Sequence, residues 1–106
     1  MKKKYFGTYM GTIPAYKMDT GDEVVEISSS TIYVQINKED IVINIGKNEL
    51  HGTYMVMFAA KTYYLLDINI DDQLANERIL VYKRGRRLSR DGMYPQPVTE
   101  LKKYKN

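Results

Sequence analysis

The residues with chemical potential in this chain fall into three small groups. His51 is the only histidine, and cysteine is absent. A histidine base works with a nucleophile and an orienting carboxylate, and a zinc site takes about three or four ligands. One histidine without a thiolate assembles neither, so His51, just before Gly52, reads as a surface or rim residue of a strand. Asp67, Asn69, Asp71 and Asp72 make an acidic cluster where a strand runs into a loop. Their oxygens suit a hard cation, but calcium takes about six to eight oxygens and the glycine of an EF-hand loop is missing. A solvated turn is the simpler reading. No glycine-rich phosphate loop, nucleophile elbow or glycosidase-like carboxylate pair occurs. The expectation is a binding protein with neither a catalytic site nor a cofactor.

The third group is the sharpest. Lys83, Arg84, Arg86, Arg87 and Arg90 place five cations in eight residues around Gly85. Projected from a hairpin tip, they form a compact positive patch able to bind nucleic-acid phosphates, acidic lipids or an acidic protein. Tyr82 and Tyr94 lie close enough in sequence to stack on bases. Against this stands a modest net charge of +3. Residues 1–82 carry −3 and residues 83–106 carry +6, so the basic character belongs to the last quarter of the chain.

The elements that must position these groups are strands. Ile32, Val34 and Ile36 alternate with Tyr33 and Gln35; Ile41, Ile43 and Ile45 alternate with Val42 and Asn44. Asn37-Lys38-Glu39-Asp40 between them is a turn of hairpin length. In the run from Leu50 to Ala60, alternation puts Tyr54, Val56 and Phe58 on one face and Met55 and Met57 on the other. Gly52 within it suggests a bulge or bend. Tyr64, Leu66, Ile68 and Ile70 mark a further strand, residues 71–77 an acidic loop, and Arg78 to Arg84 another strand. Upstream, Tyr5 to Ile13 reads as a first strand and Val25 with Ile27 as a second; the segment from Pro14 to Asp22 is an exposed connection with Tyr16 and Met18 partly accessible. About seven or eight short strands without a helical crossover predict an all-β antiparallel meander, closed or nearly closed into a lipocalin-like barrel.

The 106 residues suffice for one β-barrel domain, with the lysine-rich end, residues 101–106, expected to fray. Ten tyrosines beside two phenylalanines and no tryptophan suit a half-buried sheet. No apolar run approaches the ~20 residues of a membrane-spanning helix. Lys2, Lys3 and Lys4 resemble the charged start of a signal peptide, but Tyr5-Phe6-Gly7-Thr8-Tyr9 does not continue as its apolar segment. The chain is therefore either cytoplasmic or a mature fragment of an exported protein.

Gly7, Tyr9, Gly11 and Pro14, with Ile13 in the place of a leucine, resemble the Gly-x-Tyr-x-Gly-x-Leu-Pro first strand of NlpE-type envelope lipoproteins. A looser likeness covers Arg87 to Gly92 and that family's closing strand. The resemblance implies a lipocalin-like barrel in the cell envelope or periplasm, tethered through an upstream lipid-bearing segment. It would bind a partner or small apolar ligand rather than catalyse. The family's Cys-x-x-Cys motif is replaced here by Ala15 and Met18. Only the thioethers of Met18 and Met10 remain as soft ligands for Cu(I), and methionine more often fills a core. Two functions follow: an envelope binding or surveillance module, or a weak binder of anionic polymers such as nucleic acid through residues 83–90.

Overall fold

The alternation of branched aliphatic residues produces a sheet that closes on itself. The computed structural model describes residues 1–92 and 96–105. A 3₁₀ turn, Lys3–Tyr5, precedes ten strands: β1 (Gly7–Ile13), β2 (Tyr16–Asp19), β3 (Val24–Ile27), β4 (Ser30–Ile36), β5 (Asp40–Ile45), β6 (Asn48–Ala59), β7 (Tyr63–Ile70), β8 (Glu77–Tyr82), β9 (Arg87–Asp91) and β10 (Thr99–Lys105). Eight form a closed antiparallel barrel in the order β1-β10-β9-β8-β7-β6-β5-β4, with β4 returning to β1. Strands β2 and β3 form a separate two-stranded ribbon between β1 and β4. The predicted meander is thus present, but Val25 and Ile27 lie outside the barrel, and residues 16–19 are a strand rather than a plain connection. Tyr16 and Met18 are half-buried there.

The inward face is filled, and it is apolar except where Glu77, Arg90 and Thr99 are buried. Ile32, Val34, Ile36, Ile41, Ile43, Leu66, Ile68, Ile79, Val81, Leu88 and Leu101 are fully buried against one another. About eight strands make a barrel just wide enough for side chains to fill, and here they do. Tyr5 stoppers one end: its ring meets Tyr64 edge-on at 5.3 Å, and the Tyr9 hydroxyl donates to its carbonyl at 2.8 Å. Burial raises the Tyr9 phenol to about 12.

Three local expectations are corrected. Gly52 keeps its register opposite Ile41 and Ile70, so it is not a bulge. It is needed because a Cβ there would stand 2.3 Å from the Asn69 carbonyl oxygen. The register shift falls between Val56 and Phe58 instead, at Met57. One extra residue reverses the facing of those beyond it, so Phe58 points outward at 56% exposure, away from Tyr54 and Val56. Finally, residues 101–105 are not a frayed tail. Leu101 is fully buried, and β10 pairs with β9 on one side and β1 on the other, sealing the barrel.

Candidate functional site: the cationic end of the barrel

Antiparallel strands send alternate turns to opposite ends of a barrel. One end therefore collects the 3₁₀ turn, residues 37–39, 60–62 and 83–86, and the close of β10. These segments carry Lys2, Lys3, Lys4, Lys38, Lys61, Lys83, Arg84, Arg86 and Lys103, against the single acid Glu39 in the turns. The other end holds the ribbon and residues 46–47 and 71–76, where Asp19, Asp22, Glu23, Glu26, Asp71 and Asp72 outnumber Lys17 and Lys47. The molecule is electrically polar along its barrel axis.

The hairpin tip from Lys83 to Arg86 divides the cations into two sets. Arg86 lines one groove with Lys3, Lys4, Lys38 and Lys103; its remaining walls are Phe6, Gly7, Thr8, Gln35, Ile36 and Asn37, with no carboxylate among them. Lys83, Arg84 and Arg87 line a second groove with Lys61, Thr62 and Tyr82. The tip turns through two left-handed residues, Gly85 (φ 85°) and Arg86 (φ 50°). Glycine accepts that conformation freely, whereas an arginine is strained there by about 1 kcal/mol. The Arg86 carbonyl accepts the Lys103 amide at 2.7 Å, which ties the tip to β10.

Lys103 is the most constrained of these cations. Its Nζ donates to the Lys4 carbonyl at 2.7 Å, joining the last strand to the N-terminal turn. Burial, and then the positive charge of Arg86, lower its pKa. An anion in the groove would offset both effects. In the second groove Arg87 lies 3.9 Å over the Tyr82 ring and 3.8 Å from the Glu100 carboxylate, while Lys83 sits over Tyr64 at 4.6 Å. Among the described residues Arg84 and Arg86 make no ion pair.

The predicted patch therefore survives only in part. Lys83, Arg84, Arg86 and Arg87 lie at the cationic end, but Arg90 does not. It points inward from β9 at 2% exposure and grips Glu77 through two hydrogen bonds of 2.8 and 2.9 Å. Its third contact goes to Gln96 at 2.7 Å. Strand alternation explains this: Leu88 and Arg90 share the inward face of β9, and Glu77 on β8 faces the same end of the barrel. Glu77 accordingly leaves the acidic loop and belongs to the interior. Tyr94, proposed to stack on bases, lies outside the described residues.

The other candidates are dispersed. Met10 faces out of β1 at 41% exposure, whereas Met18 belongs to the ribbon, so the two thioethers sit on different sheets. His51 is exposed on β6, its Nε2 3.5 Å from Glu49. Asp67 is held by Arg78 at 3.0 Å and by Asn76 at 2.9 Å. Among the described residues no cluster of three or more acidic or histidine side chains could hold a metal ion.

Sequence reasoning missed Lys3, Lys4, Lys38 and Lys103. The signal available was a lysine run at each terminus, because the first and last strands of a closed meander must pair. No family model, curated protein or solved structure matches this chain. The likeness of its first strand to NlpE-type lipoproteins rests on those residues alone. Gly11 in that motif also has a purely steric role, since a Cβ there would lie 2.6 Å from the Glu100 carbonyl oxygen.

Proposed function

We propose that this protein is a non-catalytic binding module whose working surface is the cationic end of the barrel and whose partner is an anionic polymer. One observation carries the reading: four segments far apart in sequence converge on a groove that, among the described residues, is walled by five cations and no carboxylate. A filled interior removes support for a small apolar ligand inside the barrel. A groove whose charged groups are four lysines and one arginine favours phosphates over a specific base pattern, and among the described residues no α-helix is available to read a major groove. Binding is therefore weak, nearly blind to sequence and steeply dependent on salt.

Each phosphate neutralised on a single strand contributes about −0.7 to the salt slope, so three to five contacts give roughly −2 to −3.5. Fluorescence anisotropy with labelled oligonucleotides across a salt series measures it. The double substitution Arg84→Glu with Arg86→Glu, both exposed, should abolish binding. No association even at ~20 mM salt, where screening extends over about 20 Å, sinks the reading.

The resemblance in the first strand supports a placement of this module in the cell envelope. That proposal is separate, and it is tested by whether the gene encodes a signal peptide and lipid-attachment cysteine ahead of Met1.

A further inference from the structure

The groove formed by Lys3, Lys4, Lys38, Arg86 and Lys103 has a volume of about 550 Å³. It adjoins a second cavity of about 780 Å³ and shares Lys3, Phe6 and Lys38 with it. The other walls of that second cavity are Met1, Tyr54 and Val56. A cationic seat thus shares walls with one lined by two aromatic rings and two aliphatic side chains. Small-molecule sites combine an apolar wall with a few convergent polar groups in volumes of about 300–1,000 Å³.

The charge count points to more than a polymer backbone. An internal phosphodiester carries one negative charge, whereas a terminal phosphate monoester carries about −1.5 to −2 at neutral pH. A terminal monoester therefore offsets more of the five cations around this groove than a single diester can. The mounting of these cations is also fixed. Lys38 sits on a turn whose carbonyls at Asn37 and Lys38 both accept the Tyr54 hydroxyl, at 2.5 and 2.9 Å. Lys103 is anchored on the Lys4 carbonyl. Arg86 occupies a left-handed position where glycine or asparagine would be less strained.

We infer that the two adjoining cavities form one site for a phosphate monoester attached to a ring, the terminal nucleotide of a strand: phosphate among Lys3, Lys38, Arg86 and Lys103, ring against Phe6 and Tyr54. This rests on the polyanion reading and sharpens it, because the end of the polymer, rather than its length, becomes the preferred ligand. The second groove, with Lys83 and Arg84, then follows the neighbouring phosphates without discriminating among them.

The test compares a short single strand bearing a terminal phosphate with its hydroxyl-ended twin, the dye on the opposite end, by anisotropy at ~20 mM salt. The phosphorylated strand should bind about tenfold more tightly, a difference of about 1.4 kcal/mol. A nucleoside monophosphate should displace it at lower concentration than inorganic phosphate does. Lys3→Gln combined with Lys38→Gln, both on exposed positions that the barrel does not need, should erase the preference and leave residual salt-dependent binding. Equal binding of the twins overturns the inference while the polyanion reading stands; binding of neither overturns both. Inorganic phosphate competing as well as the nucleotide removes the ring seat and with it the inference. So does preferential capture by phosphatidate-containing vesicles, which makes the monoester a lipid headgroup.

Discussion

At the scale of single residues, Arg90 shows how little a side chain's type says about its place. In sequence it is one of five clustered cations; in the barrel it is nearly inaccessible and bidentate on Glu77. Removing one partner of such a pair strands a buried charge, at a cost of about 3–5 kcal/mol, while replacing both by apolar groups of similar volume is often neutral. Glu77→Gln should therefore lower stability in denaturant unfolding by about 3 kcal/mol, and Glu77→Leu with Arg90→Met should recover most of that loss. Equal destabilisation by the single and double variants would show that the pair is not a unit. Neither change touches the cationic end, so polyanion binding by the folded variants should persist.

Elements differ in what they contribute. β10 is lysine-rich and looks expendable, yet it supplies Leu101 to the core and both remaining edge pairings of the sheet. Truncation after Glu100 should open the barrel, leave β1 and β9 as exposed edges and abolish cooperative thermal unfolding. The ribbon of β2 and β3 presents the opposite case. β1 already pairs with β4 along Gly7 to Ile13, ending at Ile13 opposite Ser30. Replacing residues 15–28 by a short turn should thus preserve the barrel, with a thermal midpoint close to that of the intact chain. A truncated chain that still unfolds cooperatively, or a ribbonless chain that fails to fold, would reverse this assignment of roles.

For the whole molecule, the polar distribution of charge sets a pattern no single residue predicts. Lys3, Lys4, Lys38, Arg86 and Lys103 repel one another in the folded state, and the unfolded chain relaxes that repulsion. Pyrophosphate at low ionic strength should stabilise the protein saturably. At ten times its Kd the gain is about 1.4 kcal/mol, or a rise in Tm of about 6 °C for a domain of this size. Sodium chloride at matched ionic strength should give a smaller rise without saturation. Identical responses to the two salts would mean that the groove merely screens and does not bind.

The strands were legible because alternation is a property of neighbours: Ile32, Val34 and Ile36 announce an inward face wherever the strand lies. The lack of thiolate chemistry was equally plain, since no fold can supply a cysteine the chain does not contain. Facing was less secure, because one extra residue at Met57 sends Phe58 outward and no local rule marks where a bulge will fall. The candidate site was half visible. Lys83, Arg84, Arg86 and Arg87 are adjacent in sequence, whereas Lys3, Lys38 and Lys103 join them only because β1 pairs with both β4 and β10. The sequence by itself determined the strands and excluded the chemistries whose groups are missing. Only the tertiary structure decided which cations meet, because barrel closure and register are long-range properties, set by packing across the whole interior rather than by the period of any segment.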